Sequence, residues 1–133
     1  MTKVPIVAIC TKVPIIGDAV DLRGIVRRIT FNYLPANCGD KDSKFYFIAI
    51  WEGATGNEAP KLEILAPSGT TRRFNTTEFS TTTDILVQIV PLDPVIFEAT
   101  GIYEFSLWLD GIRYASTDLT VLTTQRVVGA VYA

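Results

Sequence analysis

Chemistry near neutral pH needs groups that exchange protons, attack a substrate or hold a metal, and this 133-residue chain contains no histidine from which to build them. Histidine is the commonest metal ligand and the side chain whose ordinary pKa lies nearest neutrality. Its absence removes Ser-His-Asp and Cys-His nucleophile arrangements and every zinc site that uses imidazole. The two cysteines, Cys10 and Cys38, are too few for a metal-ligand pattern or a disulfide framework. One lies in an apolar stretch and the other in a polar loop, and both are expected as reduced thiols.

Paired carboxylates can perform acid/base work without histidine, and Asp40 with Asp42 is the closest loop pair. A calcium loop starting at Asp40 would need its bidentate acid at the twelfth position, where Trp51 stands, so the pair reads as a solvated turn. The glycines at 17, 24, 39, 53, 56, 69, 101, 111 and 129 form neither G-x-G-x-x-G nor G-x-x-x-x-G-K-[ST], which disfavours a nucleotide enzyme. The expectation is a protein that is not an enzyme, with no cofactor and no metal.

Binding residues are easier to nominate. Arg23, Arg27, Arg28, Arg72 and Arg73 hold five of the 12 basic residues and lie near Phe31, Tyr33 and Phe74 in sequence. Basic groups interleaved with aromatics are what single-stranded nucleic acid binding uses, although the acidic balance of the chain favours reading them as ordinary solvated strand positions with the aromatics in the core. Trp51 and Trp108 could stack on a sugar ring or anchor a partner. Trp108, beside Glu104 and Ser106, is expected to look outward, with Arg113 stacked on its ring as the simpler alternative. The candidate interaction surface therefore comprises Trp108, Arg113, Tyr46, Trp51, Arg27 and Arg72. Asn75-Thr76-Thr77 matches a glycosylation acceptor, read as chance without a secretory route.

The elements that must position these residues read as strands. No ten-residue window repeats apolar residues at helical spacing, whereas β-branched and aromatic runs broken by Gly, Pro, Asp and Asn recur. Strands are predicted at Val4–Cys10, Val20–Asn32, Lys44–Glu52, Lys61–Ala66, Thr70–Phe74, Asp84–Val90, Val95–Glu98, Ile102–Leu109 and Ile112–Leu122. Asp110-Gly111 marks a hairpin, since both residues tolerate positive φ. Tyr103, Phe105, Leu107 and Leu109 share one face, assigned to the core. A plain two-residue turn would place Asp118 on that face, so a bulge at Gly111 is expected, bringing Ala115, Leu119 and Val121 inward instead.

Lys44–Glu52 is apolar on both faces, Phe45, Phe47, Ala49 and Trp51 opposing Tyr46, Ile48 and Ile50. Such a strand needs cover from a loop, a terminal segment or another chain. The apolar tail, residues 125–133 with Val127, Val128, Val131 and Tyr132, is one candidate, packing on the domain or on a partner chain. Residues 1–124 form the single predicted domain, which at this size needs no metal or disulfide to fold.

The balance of 12 basic and 14 acidic residues gives a net charge of -2 and no global attraction to nucleic acid or an anionic membrane. Hydrophobic residues make up 48% of the chain, a high share for a small domain with wet outer faces, which suggests self-association. The run Val4–Cys10 contains Pro5 and is followed by Lys12, a poor signal-peptide core, and the longest apolar run, Phe45–Trp51, is far too short to span a bilayer. A cytoplasmic location with no membrane contact is expected.

Three stretches carry a resemblance: Leu22-Arg23-Gly24-Ile25-Val26-Arg27-Arg28-Ile29, Lys61-Leu62-Glu63-Ile64-Leu65-Ala66-Pro67-Ser68-Gly69, and Gly101-Ile102-Tyr103-Glu104-Phe105-Ser106-Leu107-Trp108-Leu109-Asp110-Gly111. Together they resemble small bacterial immunoglobulin-like sandwich proteins of unknown function, over about Val7 to Val121. The resemblance implies an all-β, antiparallel two-sheet sandwich of about seven to nine strands and carries over no catalytic residue. The function expected is a non-enzymatic protein-binding or assembly module that self-associates as a homo-oligomer. A carbohydrate-binding module using an exposed Trp is the first alternative, and a single-stranded nucleic-acid-binding β-barrel the second.

Overall fold

The computed structural model describes residues 5–16, 19–52, 60–75, 79–81 and 85–124, and it is all-β. Its fourteen strands are β1 (Ile6–Cys10), β2 (Ile15–Ile16), β3 (Val20–Asp21), β4 (Ile25–Val26), β5 (Arg28–Phe31), β6 (Ala36–Asn37), β7 (Tyr46–Glu52), β8 (Lys61–Leu65), β9 (Thr71–Asn75), β10 (Phe79–Thr81), β11 (Ile85–Pro91), β12 (Ile96–Phe97), β13 (Gly101–Leu109) and β14 (Ile112–Thr123). Five are two-residue ladders, leaving nine longer strands, and a 3-10 turn at Cys38–Asp40 follows β6.

Two five-stranded sheets carry the structure, one ordered β10-β11-β7-β1-β4 and the other β5-β14-β13-β8-β9, with small β12-β6 and β2-β3 pairs beside them. Neither large sheet closes on itself, and all pairings are antiparallel except β5 with β14, which is parallel. The predicted strand Val20–Asn32 is divided into three. Gly24 takes φ +69 and the chain crosses between sheets at Arg27, whose carbonyl accepts from the Thr120 N–H at 2.9 Å. β4 therefore pairs with β1 in the first sheet while β5 pairs with β14 in the second.

The main core takes side chains from both large sheets, with Phe47 of β7 stacked on Phe105 of β13 at 6.1 Å between ring centroids. Tyr103 lies 4.8 Å edge-on from Phe97, and its hydroxyl donates to the Ala99 carbonyl at 2.7 Å while accepting from the Ala99 N–H at 3.2 Å. One phenol thus satisfies both backbone groups of the bend that leads into β13.

The Asp110-Gly111 hairpin forms, but its bulge is not at Gly111. Both turn residues have positive φ, 52 and 77, as a type I′ turn requires, so Leu109 pairs directly with Ile112. The register slips later, Trp108 pairing with Arg113 and Leu107 with Ala115, which makes Tyr114 the extra residue. Tyr114 then packs edge-on against Trp51 at 5.5 Å, and Leu119 and Val121 reach the core as expected while Asp118 stays exposed.

The second face of β7 is covered in part from within the chain. Ile16, Val20 and Leu22, on and beside the β2-β3 hairpin, pack against a cluster of Ala8, Cys10, Ile48 and Val87. The proposed packing of residues 125–133 lies outside the described residues. No helix among the described residues is long and apolar enough to cross a membrane.

Replacing Tyr103 with Phe tests the bend. Loss of the two hydroxyl hydrogen bonds should cost about 1–2 kcal/mol in urea-denaturation stability, with the aromatic packing retained. A change below about 0.3 kcal/mol would mean that the hydroxyl is replaced by water at no cost.

Candidate functional site

The thiols lie in both layers of packing. Cys10 and Cys38 are free, buried and belong to different clusters, Cys10 under the β2-β3 hairpin and Cys38 in the main core. Burial raises both pKa values. For Cys38 the value is pushed up to about 12, chiefly by burial and further by the Asp93 carboxylate, with Lys41 pulling the other way. A thiol of that kind is neither a nucleophile nor a metal ligand at neutral pH. Among the described residues no group of three or more Cys, Asp or Glu is placed to hold a metal ion, and Asp40 and Asp42 are exposed in the turn after β6.

The two tryptophans are placed differently. Trp51 is fully buried in the main core and its indole N–H donates to Gln88 Oε1, so it offers no ring to a ligand. Its parity on β7 puts it on the core face with Phe47 and Ala49, and a ring of that size gains most by complete burial. Trp108 is only half-buried on the outer face of the second sheet, and its indole nitrogen has no hydrogen-bond partner among the described residues. Arg113, its cross-strand neighbour, is directed instead to Glu104, with Nη2 3.1 Å from Oε1. A carboxylate holds a guanidinium more strongly than a ring face does.

The arginines do not form one surface. Arg72 and Arg73 alternate on β9 and engage Glu98 at 3.9 Å and Glu63 at 2.9 Å. Arg28 stands on β5 at the opposite edge of the same sheet, four strand spacings or about 19 Å away. Arg27 is exposed at the crossover, and Arg23 Nη2 donates to the Val13 carbonyl at 3.2 Å. A basic groove tracking a nucleic acid backbone would need these groups together.

What the structure does assemble is an apolar outer face on the first sheet. Three cross-strand rows run Cys10-Tyr46-Pro91, Ala8-Ile48-Ile89 and Ile6-Ile50-Val87. The β2-β3 hairpin covers part of them, leaving Tyr46 and Ile50 half-buried and Ile6 at 61% exposure. Ile25, which pairs with Cys10, is 58% exposed and Ile15 of the hairpin 51%. Of the nominated residues, Tyr46 alone belongs to this face. The isoleucines were not singled out, because an alternating strand reads the same whether its second face meets water or another chain.

Two concavities lie elsewhere on the surface of the described residues. The narrower, about 110 Å³, has Ile64, Phe97 and Tyr103 in its walls and Arg72 and Glu98 at its margin. The wider, about 280 Å³, lies in the segment from Phe31 to Lys41 and includes Tyr33, at 65% the most exposed large hydrophobic side chain among the described residues.

The raised thiols set a pH window. A group whose pKa in the fold lies above its ordinary value of 9.0 keeps its proton there, so its stabilising contribution is whole below that value and is lost as pH rises toward 12. Stability should fall across this range more steeply in the parent chain than in Cys38→Ala, and equal slopes would assign alkaline unfolding to other groups. At about pH 8 neither thiol should react with a disulfide reagent until guanidinium unfolds the chain. No family model, characterised protein or solved structure matches this chain.

Proposed function

We propose that the chain is an immunoglobulin-like two-sheet sandwich serving as a non-enzymatic protein-binding module that assembles with a second copy through the outer face of its first sheet. The observation that carries the assembly reading is the apolar rim that the β2-β3 hairpin leaves uncovered on the first sheet, with Ile6, Ile15 and Ile25 more than half exposed. Exposed apolar patches of this kind mark interaction sites, and the same patch on two copies suits a closed two-fold contact.

The fold reading has its own support. The order β5-β14-β13-β8-β9, with its parallel β5-β14 edge, parallels the arrangement of immunoglobulin domains in which the first strand crosses from one sheet to the other. The Tyr103 hydroxyl bonded to Ala99 matches the tyrosine corner of those domains. The resemblance to small bacterial proteins of this type rests on the Gly-x-Tyr-x-Phe and Asp-Gly stretch that builds this corner and the following turn. The absence of histidine and the two protonated thiols favour a binding role over catalysis. Two free, buried cysteines accord with the reducing cytoplasm.

Light scattering tests the reading. The full chain should have at least twice the 14.6 kDa mass of one copy, and the double variant Ile6→Lys, Ile25→Lys should return to that single mass with an unchanged circular dichroism spectrum. A version ending at Thr124 should keep the oligomer. A monomeric parent chain would overturn the self-association reading.

A further inference from the structure

The segment between β5 and β6 is held at both ends. Thr124 N–H donates to the Phe31 carbonyl at 2.9 Å, and the Thr123 and Thr124 hydroxyls reach the Asn32 carbonyl and Oδ1 at 3.3 and 3.4 Å. At the other end Asn37 Oδ1 accepts from Gly39 N–H at 3.0 Å and Val95 N–H at 3.2 Å, while Leu34 between them packs against the main core. A loop so fixed presents its outward side chains in a set geometry, which is what a binding site on a scaffold requires.

Those side chains carry unused polar capacity. Tyr33, Asn32, Asn37, Asp40 and Lys41 border the concavity of about 280 Å³. The Tyr33 hydroxyl, the Asp40 carboxylate and the Asn32 Nδ2 have no hydrogen-bond partner among the described residues. Lys41 spends one donor on the Thr30 carbonyl at 2.6 Å and sits 5.2 Å over the Phe31 ring, which fixes the ammonium beside the opening. The ring of Tyr33 is left in water, although burying an aromatic surface of its size is favourable.

An aromatic face beside a carboxylate, an amide and an ammonium matches a molecule with one apolar C–H face and a rim of hydroxyls. The acid and the base are adjacent and cancel, so the site suits a neutral ligand better than an anion or a cation. Its volume lies just below the roughly 300–1,000 Å³ of pockets for drug-sized ligands, and its open form suits one ring of a longer chain. The geometry points to a saccharide-binding site here: Tyr33 stacks on a pyranose ring, Asp40 accepts from its hydroxyls, and Asn32 and Lys41 donate to them. The site is separate from the outer face of the first sheet and does not depend on the assembly reading.

Saturation-transfer NMR on the full chain with maltotriose, cellotriose, mannotriose and triacetylchitotriose tests it. At least one trisaccharide should receive saturation, with Tyr33→Ala weakening it about tenfold or more, Asp40→Ala weakening it as well, and Tyr33→Phe retaining most of it. Trp108→Ala, on the outer face of the second sheet, should leave the signal unchanged. Tyr33→Ala and Asp40→Ala should keep the parent amide spectrum, which separates lost binding from lost folding. No transfer to any of the four sugars, transfer that survives Tyr33→Ala, or transfer abolished by Trp108→Ala would overturn the proposal.

Discussion

Phe47, Ala49 and Trp51 leave β7 on one side and Ile48 and Ile50 on the other, and the rest of the molecule is arranged around satisfying both. A buried side chain of this size contributes about 1.5–3 kcal/mol, so a strand with large apolar groups on both faces cannot stand with one face in water. The second large sheet answers the first requirement, stacking Phe105 on Phe47 and surrounding Trp51 with Tyr114. The segment between β1 and β4 answers the other, and its position follows from local chemistry.

That segment leaves β1 at Thr11 and returns at Gly24, where the Thr11 N–H donates to the Gly24 carbonyl at 2.9 Å. Gly24 is required twice over. Its φ of +69 is a conformation that other residues adopt at a cost, and a Cβ there would strike the Thr11 hydroxyl. Closing the excursion at this point returns the chain to the edge of β1 in time to form two residues of ladder before it crosses into the second sheet. The cover over Ile48 and the parallel edge at β14 are therefore two consequences of one local geometry.

Strand existence was legible because alternation survives in the sequence: Tyr103, Phe105, Leu107 and Leu109 declared their face, and the two-sided character of β7 declared its need for cover. Three features were hidden for physical reasons. Val20–Asn32 is β-type throughout, so nothing in its residue types distinguishes a straight strand from one that changes sheets at Arg27. The need for a bulge followed from parity, but its place did not, since parity is corrected equally well at Gly111 or at Tyr114 and only contact with Trp51 decides. Tyr33 was seen as one aromatic among arginines. Its isolation became visible only once Arg28 and Arg72 were found at opposite edges of a sheet.

The two large sheets treat their outer faces differently, and this difference bears on the proposed assembly. On the second sheet Glu104 pairs with Arg113, Glu63 with Arg73, and Asp118 and Lys61 stand exposed beside them. Such groups are already hydrated and paired, and covering them would cost desolvation that exposed ion pairs, worth about 0–1 kcal/mol each, do not return. The outer rows of the first sheet contain no charged residue from Ile6 to Val87, and covering the side chains that the β2-β3 hairpin leaves exposed, such as Ile6 and Ile25, releases water from apolar surface at no such cost. In the proposed assembly the uncharged rim of Ile6, Ile15 and Ile25 therefore favours the first sheet as the contact, although Ile102 of the second sheet is equally exposed.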